Sequence, residues 1–357
     1  MNDTASAEHL WPLPDADLDR IQTGLHLDAA GAAWLAELAG FPPPATPLVL
    51  PDPRTSAEIL ERLACPPEAV ADAVATLPDP ERDPERFWLL ERCRARLLAG
   101  MGQPALARGA WPKLPSSLGA PGGCFYLHLV LALFDDVRAE HHRLGVPDDV
   151  SIATLADLGR HVAIERASTG RTGVDEPWWM TLHLRAILIE VGRLQYSTFR
   201  LGEGPESPFP WYDEAAAARL GEGFCPGDAT LGIHIPAGEP LSPAACEGSL
   251  ARAGEITAAI WPVATRRVAT CCSWLLDDQL ATMLGEASNI VAFQRRFALV
   301  PGAAGGDLDV RTFVFRTMAP LEELSATTTL QRAVLDHLRA GRHFQRRTGW
   351  VAVGERA

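Results

Sequence analysis

The sequence predicts an α+β protein, in which a mainly helical N-terminal domain, residues 1–147, is followed by a domain with a mixed α/β sheet, residues 148–357. Proline-rich turns separate helical segments in the first part, and strand and helix patterns alternate between Thr230 and Phe315. The composition changes near Gly145, where Gly-Val-Pro-Asp-Asp begins. A chain of 357 residues is too long for one ordinary core, which also favours two domains.

The composition is that of a globular protein with an acidic surface. Hydrophobic residues make up 47% and charged residues 22% of the chain, and the formal net charge is −13. Such a surface repels nucleic acid and anionic membranes and favours cationic or amine-bearing partners, so neither nucleic acid nor membrane is expected as a partner. No export signal is visible, and the apolar run Cys124 to Phe134 is shorter than the ~20 residues of a membrane span, so a cytoplasmic protein is expected. Seven cysteines without a CxxC spacing favour buried thiols over disulfides or a metal site, and no metal is expected.

The N-terminal domain is predicted to consist of helices that proline ends. The segments 41–47 and 78–84 cannot continue a helix, because proline lacks the amide donor and crowds the preceding turn. Between them, 56–77 fits one or two helices interrupted at Pro66-Pro67, and 87–98 and 125–142 fit further helices.

The second domain begins with further predicted helices and then a strand. Residues 154–167 and 178–192 are predicted as helices, the latter apolar nearly all round and ended by Gly192. Residues 194–201 are rich in β-branched and aromatic side chains and are predicted as a strand. A loop over 202–227 carries an aromatic cluster at 209–212 and a short alanine-rich helix at 214–220.

The strand Thr230–Pro236 is the first segment with chemical character. Leu231, Ile233 and Ile235 alternate onto one face, which leaves Gly232 and His234 together on the other, with room for a ligand beside the imidazole. The strand leads to a helix that begins at Ser242-Pro243, a good N-cap followed by the favoured first helical residue. First-turn amides and the helix dipole stabilise an anion at such a start, although most starts of this kind are plain connections.

The rest of the chain predicts a mixed sheet with helices on both faces. Residues 267–274 form the next strand, which the right-handed crossover rule makes parallel to the first. We then expect a helix, two long strands, a helix and a final strand, in that order, at 275–284, 289–299, 309–315, 330–340 and 344–353.

Five motifs in combination resemble one family. They are Gly-Arg-Leu-Gln-Tyr (192–196), Leu-Gly-Ile-His-Ile-Pro (231–236), Cys-Cys-Ser-Trp-Leu-Leu-Asp-Asp-Gln-Leu (271–280), Ser-Asn-Ile (288–290) with Phe-Gln-Arg-Arg-Phe (293–297), and Thr-Gly-Trp (348–350). The family is that of bacterial acyltransferase-domain proteins, which pair a helical N-terminal domain with a GNAT-like C-terminal domain. Where its pattern often has histidine, this chain has Cys272.

The resemblance implies transfer of an acyl group from acyl-CoA, the co-substrate, to the amine of a small molecule or peptide by direct attack in a ternary complex. An acyl carrier protein is the alternative donor. In such folds two parallel strands splay apart, the pantetheine lies between them, and the diphosphate meets the following helix. This arrangement implies donor contacts at Ile233, Ile235, Ala237, Gly238, Leu241, Ser242, Trp274 and Asn289, and it implies that Gln195 and Tyr196 line the acceptor pocket.

His234 is the candidate base, because an imidazole titrates near neutrality, although a lone histidine on a strand is more often a hydrogen-bonded core residue. Ser273 or Cys272 is the candidate acid that protonates the departing thiolate. Two alternatives stay open. A thiolate of Cys271 or Cys272 takes the acyl group first, with Arg266 and Arg267 as the only basic neighbours in sequence, or the domain is a catalytically inactive module that binds CoA or a peptide.

Overall fold

The computed structural model describes residues 17–42, 46–103, 109–201, 215, 218, 225–262 and 268–353. Contacts divide the chain into two compact units. The first contains the described residues up to Arg138 together with Ala156–Arg185, and the second contains Ala139–Leu155 and the described residues from Ala186 onward. The predicted boundary between residues 147 and 148 lies within the Ala139–Leu155 segment of the second unit. The predicted aromatic cluster at 209–212 and most of the predicted helix at 214–220 lie outside the described residues.

Helices build the first unit, as the proline-rich turns predicted. Asp28 and Asp52 each cap a helix with a side-chain oxygen, and Pro53, Pro67, Pro84 and Pro177 occupy first helical positions. The described helices up to residue 184, apart from the Asp148–Leu155 helix of the second unit, are Leu18–Gly24, Ala29–Ala39, Pro53–Arg62, Pro67–Ala75, Pro84–Ala99, Gly119–Gly123, Phe125–Arg143, Asp157–Thr169 and Pro177–Leu184.

The helix Phe125–Arg143 and the turns before it, from Ser116 on, are long and apolar enough to cross a membrane by composition alone. However, 61% of the most apolar window is buried inside the protein, and Phe125, Leu129 and Leu133 are fully buried. A core helix of a globular unit has this pattern, so the segment is weak evidence for a membrane span.

A buried charged cluster links two helices of the first unit. Asp157 receives hydrogen bonds or ion pairs from Arg160, at 2.6 Å, and from His183, at 3.1 Å, while His161 lies 2.5 Å from Asp175. Burial alone would lower the pKa of His161, but the hydrogen bonds and charges of Asp157 and Asp175 outweigh it and raise the pKa to about 9. His161 is therefore a cation at neutral pH, held between two carboxylates.

In its described residues, the second unit is built on a mixed sheet of seven strands. They are β1 Leu188–Val191, β2 Leu194–Arg200, β3 Ala229–His234, β4 Val268–Ser273, β5 Ala298–Leu299, β6 Ala304–Gly305 and β7 Gln345–Ala352. The spatial order is β1-β2-β3-β4-β7-β5, and β6 also pairs with β7. The β3–β4 pair is parallel, as the crossover rule predicted, and the other pairs are antiparallel.

The crossover between β3 and β4 contains the helix Pro243–Ile260, which packs on one face of the sheet. Its inward residues Cys246, Leu250 and Ala253 share a core with the odd-numbered side chains of β3 and β4. The described helices of this unit are Asp148–Leu155, Pro243–Ile260, Gln279–Leu284, Asn289–Gln294, Asp307–Val310 and Thr329–Arg339. A second, smaller core forms around Trp274, Val310 and Phe344.

The region predicted as one helix over 178–192 is a helix followed by a hairpin. The helix ends at Leu184, Ala186 has a positive φ of 54°, and β1 then pairs with β2. Val191 lies opposite Leu194, so Gly192 belongs to a two-residue turn rather than a helix end. Its φ of 63° is the conformation that such hairpin turns require and glycine adopts readily.

Two predicted strands are also wrong. The segment predicted as a strand over 289–299 is the helix Asn289–Gln294, because the Ser288 side chain caps it at Ile290, and only Ala298–Leu299 joins the sheet. The segment predicted over 309–315 continues the helix Asp307–Val310 as the π-helix Arg311–Phe315. The predicted helix over 154–167 is divided between Asp148–Leu155 and Asp157–Thr169, and that over 275–284 begins with a 3₁₀ turn, Trp274–Leu276. The sheet is nevertheless completed by β7, as predicted.

Candidate active site

The parallel strands β3 and β4 pair at two positions and not at their carboxyl ends. They pair at Leu231 with Ala269 and at Gly232 with Thr270, and the register includes no pair beyond these within the described strands. Each strand stays fully bonded to its other neighbour, because β3 has six paired positions with β2 and β4 has six with β7. Beyond Gly232 and Thr270 the described residues of the two strands form no further ladder pairs, and we call this end of the β3–β4 pair the gap.

The alternation of side chains gives the gap one polar face. Leu231, Ile233, Ala269 and Cys271 point into the core under the Pro243–Ile260 helix. On the opposite face are the even-numbered residues of β3 and β4, and the residues of β2 and β1 that pair with them. That face carries Glu190, Gln195, Ser197, Gly232, His234, Thr270 and Cys272.

His234 lies at the beginning of the gap and is half-buried. Its Nε2 atom is 2.8 Å from Oγ of Ser197, a buried residue of β2. Gln195 pairs with His234 across β2 and β3, and its amide nitrogen donates to Oε2 of Glu190 at 2.9 Å. The imidazole thus has a hydrogen-bonding neighbour in Ser197 and lies beside the Gln195–Glu190 pair on the same sheet face. His234 and Gln195 were candidates from the sequence, and Ser197 was not.

Cys272 and His234 share a face of the sheet and correspond in register, each two residues beyond the last β3–β4 pair. Burial raises the pKa of the Cys272 thiol, more than a hydrogen bond with Thr348 and the charge of Arg346 lower it. The side chain of Ser273 points the other way, and its Oγ accepts a hydrogen bond from the amide of Leu275 at 3.1 Å. Of the two predicted acids, Cys272 is the one that shares the face of His234.

The predicted cysteine nucleophile has little support from this geometry. All seven cysteines are free thiols, and Cys271 lies in the core, where burial raises its pKa strongly. A nucleophilic cysteine needs the opposite shift, toward the thiolate. Arg266 and Arg267, its predicted basic neighbours, lie outside the described residues.

The loop after β3 presents its backbone at the end of the gap. Ala237 and Gly238 are exposed, and Gly238 has a φ of 112°, which favours glycine. Arg193, from the turn between β1 and β2, donates to the carbonyl of Pro236 at 3.0 Å and to that of Pro240 at 3.3 Å. An arginine side chain therefore holds this loop in place.

The helix start after this loop has fewer free donors than the sequence predicted. Ser242 caps the helix, and its Oγ accepts from the amide of Ala245 at 3.3 Å, while Pro243 has no amide hydrogen. Arginine side chains near the helix start provide further hydrogen-bond donors. Arg296 donates to the carbonyl of Pro243 at 2.9 Å. Burial raises the pKa of the nearby Cys246 thiol, and the charges of Arg193 and Arg296 partly counteract this, so both guanidinium groups lie close to the helix start.

The other residues that were predicted to contact acyl-CoA lie in different environments. Ile233 and Leu241 are buried in the main core, so their backbones, not their side chains, are available to a ligand. Ile235 packs partly against this core. Trp274 is buried in the smaller core, with its ring 6.2 Å from that of Phe344. Asn289 is exposed and is the first residue of a helix, where a strand was expected.

Tyr196 faces the core instead of an acceptor pocket. Its side chain is fully buried between the sheet and the Pro243–Ile260 helix, and its hydroxyl lies 3.0 Å from Oγ of Ser249. Burial raises its pKa well above the usual value. Because Tyr196 and Gln195 are consecutive in a strand, they lie on opposite faces, and only Gln195 shares the face of His234.

Among the described residues, no group of three or more His, Cys, Asp or Glu side chains is placed to hold a metal ion. The polar groups of the site are the imidazole, hydroxyl, thiol and amide of the sheet face and the two guanidinium groups at the helix start. This set can accept and donate protons beside the gap and can bind an anion at its end.

Comparisons with known proteins identify the two halves of the chain. Residues 54–186 match the N-acyltransferase N-terminal domain, and residues 188–351 match the GNAT-like C-terminal domain. No curated protein matches the chain in sequence.

Solved structures match nearly the whole chain. An acyltransferase in complex with decanoyl-CoA and teicoplanin is 38% identical, with 94% of this chain and 99% of the other covered and a TM-score of 0.83. An acyltransferase in complex with CoA and 10C-teicoplanin gives the same values. An acyltransferase mutant in complex with octanoyl-CoA is 37% identical, with the same coverage and TM-score. The chain therefore belongs to the family of acyltransferases that combine an N-acyltransferase N-terminal domain with a GNAT-like C-terminal domain.

Proposed function

We propose that this protein transfers an acyl group from acyl-CoA to an amine of a glycopeptide-class acceptor, by direct attack in a ternary complex. The observation that carries this proposal is the gap between β3 and β4, with His234 on its polar face. The similar acyltransferases in complex with octanoyl-CoA, decanoyl-CoA and teicoplanin support the choice of donor and acceptor. The acidic net charge of −13 agrees with an amine-bearing acceptor.

The donor binds in the gap. The unjoined backbone edges beyond Gly232 and Thr270 offer amides and carbonyls to the two amide groups of pantetheine, much as an added strand would be bound. The diphosphate then reaches the loop from Ala237 to Ser242. There Arg193 and Arg296 supply the positive charge that the capped helix start lacks.

His234 takes the proton of the attacking amine. The nitrogen forms a bond to the thioester carbon, and the amine's proton passes to the imidazole, directly or through water. The resulting oxyanion is stabilised by strand amides at the gap, an effect that is worth about 3 kcal/mol per donor in other enzymes. His234 is half-buried, so part of its side chain is open to an incoming acceptor.

Cys272 relays a proton to the departing CoA thiolate when the C–S bond breaks, and the imidazolium of His234 returns a proton to Cys272 through water, so both groups regain their starting state. The raised pKa of the Cys272 thiol keeps it protonated between turnovers and opposes a thiolate nucleophile. Ser273 is less suited to this role, because consecutive residues of a strand lie on opposite faces and its side chain is turned away from His234.

Release of free CoA thiol from octanoyl-CoA or decanoyl-CoA, in the presence and absence of teicoplanin, tests the function, with mass spectrometry of the acylated product. We expect acceptor-dependent thiol release. In His234→Ala the rate should fall by about 10²- to 10⁴-fold while binding of acyl-CoA is nearly unchanged. His142→Ala is the matched control, because His142 is an exposed histidine of the same unit.

Each other outcome has a distinct meaning. Binding of acyl-CoA without turnover of any amine would indicate an inactive CoA-binding module. Turnover with an acyl carrier protein but not with acyl-CoA would identify the carrier protein as the acyl donor. Full activity of His234→Ala would remove this residue from the mechanism.

A further inference from the structure

Ser197 is a hydrogen-bonding neighbour of the candidate base. Its Oγ atom lies 2.8 Å from Nε2 of His234, and the residue is only 6% exposed. Among the described residues, this is the one hydrogen bond of the Ser197 side chain. Its strand position is fixed on both sides, because Ser197 pairs with Leu188 of β1 and with Gly232 of β3.

When an imidazole takes up a proton in a partly buried site, both ring nitrogens carry N–H groups, and each N–H group needs a hydrogen-bond acceptor. The imidazolium donates from both ring nitrogens, and a buried N–H without an acceptor is costly. A serine oxygen has two lone pairs and a hydrogen that rotates, so it can accept from Nε2 when the ring is charged. A hydrogen bond to the charged form of a group favours that form.

We propose that Ser197 is a positioning residue that fixes the ring of His234 and stabilises its imidazolium form by accepting a hydrogen bond from Nε2. This inference rests on the proposed role of His234 as the base. The proton moves from the amine to the imidazole, and Ser197 neither gains nor loses one. Gly232, which pairs with Ser197 across β2 and β3 and has no side chain, lies on the same face of the sheet.

Glu190, which accepts a hydrogen bond from Gln195, and Cys272 are other titratable side chains on this face, and both are unchanged in a Ser197 variant. A change of the His234 pKa in a Ser197 variant therefore reports the lost hydroxyl.

The experiment measures the pKa of His234 by NMR of protein labelled with ¹⁵N-histidine, alongside turnover of octanoyl-CoA with teicoplanin. In Ser197→Ala we expect the His234 pKa to fall by about one unit and kcat to fall about tenfold, with the Kd for octanoyl-CoA unchanged. Ser197→Thr keeps the hydroxyl and should stay within about threefold of wild type. Ser197→Cys, nearly the same size with a weak acceptor, should lie between them and replaces Ser197→Ala if that variant does not fold.

Thr198→Ala is the control for disturbance of the strand, because Thr198 is the next residue of β2 and faces the opposite side. The inference is overturned if the His234 pKa is the same in Ser197→Ala and wild type, or if Thr198→Ala produces the same shift. Failure of the proposed function gives a different result. In that case His234→Ala turns over normally, while the NMR titration still reports whether Ser197 holds the ring.

Discussion

Arg296 provides a direct test of how the donor's phosphates are held. Its guanidinium group donates to the carbonyl of Pro243 at the start of the Pro243–Ile260 helix. The nearest carboxylate with which it forms an ion pair, that of Glu247, is 4.0 Å away, at the limit of such a contact. Much of its charge is therefore available to an anion that reaches the loop before the helix.

The expected effect of Arg296→Gln follows from this geometry. A hydrogen bond to a charged group contributes about 1.5–3 kcal/mol, which corresponds to about a tenfold to hundredfold change in Kd. Because 24% of the Arg296 side chain is exposed and solvent screens its charge, we expect the lower end of this range, about tenfold.

Calorimetric titration with octanoyl-CoA and with octanoyl-pantetheine separates the phosphates from the rest of the donor. Arg296→Gln should weaken binding of octanoyl-CoA and leave octanoyl-pantetheine, which has no diphosphate, unaffected. The matched control is Arg295→Gln, because Arg295 is the preceding residue, is mostly exposed and pairs with Glu286 instead. Both variants remove one positive charge, so any difference between them is local.

Two results would contradict the role of Arg296 in binding the diphosphate. Equal weakening of octanoyl-CoA and octanoyl-pantetheine would mean that Arg296 acts through the loop structure and not on the phosphates. Equal effects of the Arg295 and Arg296 variants would mean that only the net charge of the surface matters.

Two further predictions concern a thiol of the site and a buried charge in the first unit. Cys272→Ser should keep measurable turnover, reduced by about tenfold or less. The wild type should show no acyl-cysteine in mass spectra after exposure to acyl-CoA alone. An acyl-cysteine adduct would instead support the covalent mechanism. The pKa of His161 is raised from 6.5 to about 9, so its contribution to folding is complete below pH 6.5 and is lost as the pH rises through 9. Denaturant unfolding of the first unit should lose about 3 kcal/mol over that interval. In His161→Gln the free energy of unfolding should change less with pH over this interval. Profiles of unfolding free energy against pH that run parallel in the variant and the wild type would contradict this role of His161.

The sequence predicted the centre of the second unit because its signals there were local and mutually consistent. The alternation of Leu231 and Ile233 with Gly232 and His234 fixed the faces of β3. The Ser242-Pro243 start then fixed the crossover helix, and the handedness of such connections made β4 parallel. The predicted family and fold are confirmed by the two matching domains and by the solved relatives.

Segments whose structure depends on distant packing were predicted less well. Val291 and Phe293 are typical of strands, but both are buried from a short helix that Ser288 caps. The β-branched and aromatic residues of 310–315 favour a strand, but Val310 and Val314 pack into the smaller core from a helix with a π-helical end. Tertiary packing outweighed the local preference in both segments.

The site was only partly predictable for the same reason. Alternation along β2 places Ser197 on the face of Gln195, but the register that sets it beside His234 follows from pairing with a strand about 35 residues further on. Arg193 and Arg296 are far apart in sequence, and only the fold brings both to the helix start. A lone arginine in a turn gives no sequence signal of an anion site.

A crystal structure of the protein with bound octanoyl-CoA would show where the acyl donor lies. We expect pantetheine between β3 and β4 beyond Gly232 and Thr270, the thioester beside His234, and the diphosphate against residues 237–242 near Arg193 and Arg296. Strands that pair along their full length in the complex, with the acyl donor bound elsewhere, would contradict the proposed binding site.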